Sequence, residues 1–597
     1  MAWPLFAKRP RLEVPMADDD VELYARTYTT LLRSRGAVRV QAFVPAHTRM
    51  GSSLHALADS PLPDAGAFIY AMQRLPECIA RVERVVLGQE GDQFRAVLGD
   101  EVDKWLRVEA PARRRAWRWD GKETLTVHVS SPSDLDDVLP CLVAYQSEWN
   151  KLHTALHVHQ RNHHVARILS STDHDNGVGI ASSLQELGRV MQVESDDWGR
   201  LASILGDGFV AWLNLVAKSE KDITVRLLGG FDVAYTRLVR RWWNPVGDVL
   251  SQRGIEGRPL YFVSSNLHAI VNLLSGYVKR RQHTLWDFVD QTSSAVDGQS
   301  ELAELRSLRE HSNAENILYY ASRLWHRADR SPEIREVRRL EEASRGITQV
   351  DATGGFDVGA QVIELNRIRS DDLDPRLARF SSVLERSDAI VLNVDYPLGL
   401  ASYHIVREVA TVTPDLRAIY AVGKAATLNA AVGDVMLSEM VFDEHSRNTY
   451  AFPNAFTAAN LATFLERGSA LDNQTAVTVR GTFLQNFASL ERYYRDRHTV
   501  VEMEAGPILS AVFEATRPHR HPTGERVYFR ELPFDFGIIH YASDTPYTQA
   551  RTLGSRGLSV EGVDATYASA LAVVTRILSV EAQRLGLTID PARQILR

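Results

Sequence analysis

The chain is poor in cysteine. Cys78 and Cys141 are the only two in 597 residues, too few for a disulfide framework or a cysteine-only metal knuckle. A reducing compartment, the cytoplasm, is therefore the expected location. Long apolar runs are lacking too. None approaches the ~18 residues of a membrane span, and the opening MAWPLFAKRPRLEV is short of the apolar core of a signal peptide. A net charge of -7 does not supply the basic surface of a general nucleic-acid binder. Neither a membrane nor a nucleic acid is expected as a partner.

Two further shortages are local. Tryptophan stops at Trp325, and after Lys279 the only lysine is Lys424, so arginine carries the positive charge through that stretch. An even mixture rarely looks like this. It points to two regions meeting near residues 330–350: 1–345, mainly helical and without an assigned role, and 346–597, an α/β domain. At 45% hydrophobic and 24% charged, the composition is that of an ordinary globular chain with room for about two to four domains.

In the first region, Ser182 to Val216, Asn266 to Val278 and Ala314 to Leu324 carry apolar residues at helical spacing. Ala37 to Val44 and Leu125 to Val129 read as strands. The second runs into Ser130–Ser131–Pro132–Ser133–Asp134, a helix-start signal. His153, His157, His159, His163, His164, Asp173, His174 and Asp175 form a local cluster whose i,i+4 pairs are of a kind that can share a metal. No HExxH pattern accompanies them, and the two pairs face different ways. A polar helix is the expectation here, with no metal.

Beyond residue 345, short apolar strands alternate with helices. Strands are expected at Ala389–Val394, Arg417–Val422, Asp434–Phe442, Thr475–Val479, Thr499–Glu502 and Phe536–Ala542. Helices are expected at Leu398–Ala410, Ala458–Arg467, Phe483–Arg497 and Glu504–Thr516. The alternation implies a mostly parallel, buried central sheet, in which ligands gather at the carboxyl ends of strands. Three strand ends are distinctive: Val422–Gly423–Lys424–Ala425–Ala426 with Gly433–Asp434–Val435 after it; Val500–Val501–Glu502–Met503–Glu504–Ala505–Gly506; and His540–Tyr541–Ala542–Ser543–Asp544–Thr545–Pro546.

In this order and spacing, the three resemble the nucleoside phosphorylase and nucleosidase superfamily over about residues 385–590. The approach Thr413–Pro414–Asp415–Leu416 and the late Ser543–Asp544–Thr545–Pro546 are most similar to AMP nucleosidase. The resemblance implies a nucleoside phosphorylase-like α/β domain, cleavage of the N-glycosidic bond of a purine nucleoside or nucleotide, no cofactor, and a homo-oligomer. It makes Asp544 the general acid to the departing base and Glu504 the carboxylate that holds the ribose. Met503 would pack under the sugar, Phe483 would stack on the base, and Ser543, Gly423, Lys424, Glu502 and Asp395 would bind substrate.

Each residue also has a plainer reading. A glutamate at a helix start favours the dipole, an Asp before Thr-Pro forms turns, and a phenylalanine is more often core. The chain also departs from the phosphorylase pattern. Ala421 and Lys424 stand where relatives keep an arginine and a Ser or Thr for phosphate, and that arginine is not replaced conservatively. Hydrolysis is favoured over phosphorolysis on this ground, although Lys424 can itself hold an anion. Tyr396 and Pro397 narrow the loop Asp395 to Gly399. Glu364, Asp395 and Glu444 are candidates to activate water, and the polar stretch Phe442 to Asn448 is a further candidate for the site. A nucleotide-sensing domain without catalysis stays as the non-enzymatic alternative.

Overall fold

The computed structural model describes residues 17–34, 36–170, 185–229, 233–293, 314–328, 331–352, 355–545 and 560–589. Asp173, His174, Asp175 and Pro546 lie outside them. The described chain is a mixed α/β protein built on two sheets.

The first sheet has six strands in the order Val38–Arg39, Thr224–Leu227, Arg84–Gly88, Thr124–His128, Arg113–Trp119, Leu106–Ala110. Arg84–Gly88 runs parallel to both of its neighbours, whereas the other pairings are antiparallel. Among the described residues the first region is mainly helical, as expected, but it also carries this sheet, of which only two strands were expected. Strands such as RRRAWRW at 113–119 carry arginines on both faces, which masks the period-2 alternation of apolar and polar residues that marks a strand. The strand expected over Ala37 to Val44 shrinks to Val38–Arg39. A 3₁₀ turn, Val40–Phe43, and a helix, Val44–Met50, take over, with Pro45 in the first helical turn.

The helix start at Ser130–Asp134 leads into Pro132–Val158, a 27-residue helix packed on this sheet. His153 and His157 on it bond the carbonyls of Val216 (2.7 Å) and Ala217 (3.1 Å), near the end of the helix Phe209–Lys218. They therefore cap a neighbouring helix.

The second sheet has eleven strands. Its path runs Arg526–Tyr528, Thr449–Ala451, Val435–Asp443, Ala470–Thr478, Val500–Glu502, Leu416–Thr427, Leu260–Ser264, Ile390–Val394, Ala360–Glu364, Ile347–Val350. The strand Asp535–Asp544 bridges Leu416–Thr427 and Val435–Asp443, so part of the sheet curls into a closed ring. Parallel and antiparallel pairings mix, so the expected mostly parallel sheet is only partly realised. Four adjacent strands do run parallel: Ile390–Val394, Leu260–Ser264, Leu416–Thr427 and Asp535–Asp544.

Leu260–Ser264 is fully buried and sits between two strands from beyond residue 385. The expected change of architecture near 345 therefore falls inside one sheet. Among the described residues, two helical stretches, Ser195–Lys218 and Gly562–Arg584, are long and apolar enough to cross a membrane by length and composition alone. The first is broken by the 3₁₀ turn Gly206–Gly208. The second is mostly buried against the second sheet's core.

Candidate functional site

At the carboxyl ends of the four parallel strands the structure opens into a cavity of about 1100 Å³. Each strand sends residues to its wall: Asn266, Leu267 and His268 after the first in sequence, Asp395 and Tyr396 after the next, then Gly423 and Lys424, then Tyr541. Glu504 joins them from the turn between Val500–Glu502 and the helix Ala505–Thr516. This is where a parallel sheet presents unpaired backbone and convergent side chains. Of the sequence-derived candidates, Glu504, Gly423, Lys424 and Asp395 share this one cavity.

Glu504 is half-buried. Burial, together with the neighbouring Glu502 carboxylate, pushes its carboxyl up to about 8 from 4.5. Glu502 itself turns away from the cavity. Its carboxylate accepts the backbone N–H groups of Glu504 and Ala505, each at 2.7 Å, and the Thr478 hydroxyl. It thus closes the first turn of the helix, where a negative group is favoured. His540 Nε2 lies 3.7 Å from the same Oε2 that accepts the two N–H groups.

Asp395 is ion-paired to Arg114 and accepts the Tyr396 N–H at 3.1 Å. The Tyr396 hydroxyl lies 3.2 Å from that of Tyr541 and accepts from Asn266 Nδ2 at 3.4 Å. Gly423 and Lys424 pair in register with His540 and Tyr541, and the register slips between Ala425 and Ala426, opposite Ser543. Such bulges re-aim side chains at strand ends. Asp544 is buried beyond the slip, opposite Ala426, and its carboxylate accepts the Ser543 hydroxyl at 2.7 Å. Neither Asp544 nor Ser543 lines the cavity, and Met503 packs against a small cluster around Val477 and Val501.

Phe483 is elsewhere, and its expected stacking role is corrected. It is 2% exposed in the core of the first sheet, with ring centroids 5.1 Å from Tyr70, 6.0 Å from His47 and 6.4 Å from His55. The loop carrying it is tied to residues 52–53: the Ser53 N–H donates to the Gln485 carbonyl at 2.7 Å. Glu364 pairs with Arg367, Arg253 and Arg258 away from the cavity. Glu444 accepts from Gln485, the Tyr493 hydroxyl and the Arg480 N–H. In the polar stretch after Phe442, Asp443 bonds His445 at 2.9 Å and the Ser446 N–H at 3.1 Å, a self-contained turn.

Sequence reasoning missed the first sheet's contribution. Arg113 and Arg114, at the start of Arg113–Trp119, line the cavity, as do Ser130 and Asp134. Arg113 and Arg115 bracket Asp137, at 3.1 and 2.7 Å. Against the pull of burial they hold its carboxyl well below the usual range. Arg115 also bonds Asp134 at 2.8 Å, and Asp134 accepts the Ser130 and Ser131 N–H groups as its helix begins. A rigid set of ion pairs thus presents Arg113 and Arg114 to the second sheet. Tyr541 and the arginines of the helix Pro332–Ser344 were missed as well. The run RRR at 113–115 and the spacing of 335, 338 and 339 were the available signals.

A profile described as a family of unknown function (DUF6909) matches residues 40–579, spanning both sheets. No curated protein matches. Among solved structures, the chain is similar to a 5′-methylthioadenosine/S-adenosylhomocysteine nucleosidase from Neisseria meningitidis bound to methylthio-immucillin-A. The identity is 14%, covering 41% of this chain and 94% of that one, with a TM-score of 0.26. The corresponding enzyme of Campylobacter jejuni gives 12% identity, 41% and 94% coverage, and a TM-score of 0.26. A methylthioadenosine phosphorylase from an Antarctic soil metagenomic library gives 10%, 33% and 73%, and 0.24.

Proposed function

The chain belongs to the family of unknown function DUF6909, so its chemistry has to be argued from its own residues, and we propose that they hydrolyse the N-glycosidic bond of a purine nucleoside or nucleotide. One observation carries this: Glu504, Asp395, Gly423 and Lys424, drawn from three separate strand ends, line one cavity. Such a cavity, with few polar groups converging at strand ends and a carboxyl of raised pKa among them, has the character of a reaction site.

In this proposal the sugar lies against Glu504, whose carboxylate accepts the ribose hydroxyls as C1′ gains positive charge. Tyr396 and Tyr541 take the place of Phe483 as the aromatic surface for the base. Water attacks C1′, the C1′–N bond breaks, and the electron pair leaves with the base. Asp544 gives the base its proton, and Asp395, held by Arg114, receives one from the water. Asp544 pairs with Ala426, two residues past the cavity-lining Lys424, so its role requires the Ser543–Asp544 pair to turn toward bound substrate.

Base release from a panel of purine nucleosides and nucleotides, with and without inorganic phosphate, tests the proposal. Free sugar or sugar phosphate with released base is expected in both conditions. Sugar-1-phosphate appearing only with phosphate would replace hydrolysis by phosphorolysis, with Lys424 as the anion ligand. No release from any substrate, together with unchanged ligand binding by Asp544→Asn, would point to a sensor.

A further inference from the structure

Away from the strand ends, the cavity continues along two helices. Pro332–Ser344 carries Arg335, Arg338, Arg339 and Glu342 at spacings of three and four, so they share one face. All four line the cavity, with Arg323 of the helix Ala314–Ala328 beside them. The orientations of Arg338 and Arg339 are built. Arg338 lies over the Tyr277 ring, 4.8 Å from its centroid, donates Nε to Glu342 at 2.6 Å and Nη2 to Asn272 at 3.1 Å. Arg339 donates Nη1 to Asp351 at 2.9 Å.

A guanidinium has five N–H donors, more than these bonds use. Among the described residues of this stretch, four arginines line the cavity beside the three carboxylates Glu336, Glu342 and Asp351, so guanidinium groups make up much of the wall. The wall is joined to the other end by bonded neighbours: Asn272, on the helix Ala269–Ser275, holds Arg338, and Asn266, which accepts the N–H of that helix's first residue, Ala269, at 2.7 Å, donates to Tyr396.

We propose that this arginine wall holds the polyphosphate of a nucleotide, two or more phosphates long, whose sugar and base reach the strand ends at Glu504. The assignment of the two ends rests on the cleavage proposal; the anion site itself does not. Residues 335 to 339 span about 6 Å of helix axis at 1.5 Å per residue, wider than one phosphate group. Arginine is suited to phosphate oxygens because its planar fork binds two at once. The volume of about 1100 Å³ exceeds the roughly 300–1,000 Å³ of ordinary small-ligand pockets, leaving room beyond a nucleoside.

Titration calorimetry at low salt on the full chain tests this with adenosine, AMP, ADP and tripolyphosphate, and with the guanine series in parallel. ADP should bind at least tenfold more tightly than adenosine, with AMP between them. In Arg335→Gln/Arg339→Gln that advantage should fall to threefold or less while adenosine binding is unchanged. Equal affinity for ADP and adenosine in both base series, or an ADP advantage that survives the double substitution, overturns the proposal. So does tripolyphosphate binding more tightly than either diphosphate, because the wall would then serve a base-free anion. A polyphosphate advantage that the double variant abolishes, with no base released from any nucleoside or nucleotide, keeps the anion wall and removes the cleavage proposal, so the two failures are distinguishable.

Discussion

Glu504 combines two properties that work against each other. Its carboxyl sits where burial and Glu502 disfavour the charge, yet the proposed chemistry uses the charged form. Between 4.5 and about 8 the folded protein holds a proton that the unfolded chain has lost, so this residue's contribution to stability falls as pH rises across that window. Glu504→Gln removes the titration. Its melting temperature should exceed that of the wild type by a few degrees at pH 8 and by little at pH 5; a gap independent of pH would contradict the raised pKa. Activity should move the opposite way. For the free enzyme, kcat/KM should climb with pH and level off above about 8, and Glu504→Ala should lower turnover by about a hundredfold or more with the fold intact. A kcat/KM that declines through the same range would make Glu504 the proton donor instead of Asp544.

At the scale of elements, Gly399 fixes how the two sheets meet. Its φ of +53° with ψ of −121° precedes the helix Leu400–Val412, and a Cβ there would fall 2.3 Å from Ser133 Oγ. That hydroxyl accepts the Leu400 N–H at 3.0 Å, which ties the first sheet's long helix to the start of the second sheet's helix. Gly399→Ala should cost about 1–3 kcal/mol from the backbone alone, read as a lower denaturant midpoint. Adding Ser133→Gly should relieve the clash but leave the backbone part.

Elements of the second region were legible where they were apolar throughout. IVLNV at 390–394 and the run ending in Tyr541 and Ala542 announce buried strands without any knowledge of their neighbours. Four site candidates, Asp395, Gly423, Lys424 and Glu504, followed from strand ends in this region. Phe483 did not, because what decides its place is Tyr70, His47 and His55, some 400 residues away. The arginine face at 335–339 was hidden for another reason: a charged helix face reads as solvated until a cavity wall is found opposite it.

At the scale of the whole molecule, the strand Leu260–Ser264 decides what counts as a unit. A fragment of residues 346–597 keeps Ile390–Val394 and Leu416–Thr427 but lacks the strand that lies between them. It should show no cooperative thermal transition by circular dichroism. A sharp transition would mean that the two strands close up without it. The match of one family profile to both sheets agrees with a chain whose halves are not separable.

The same strand bears on how the protein is made. Leu260–Ser264 leaves the ribosome with five apolar or small residues, all buried in the end, and its first partner begins at Ile390. At about 5–20 residues per second the wait is roughly 6 to 25 s, during which both of its edges are open to any other strand. Growth conditions that slow translation, or loss of a holding chaperone, should therefore reduce the soluble yield of this protein more than that of a chain whose strands pair with their immediate neighbours.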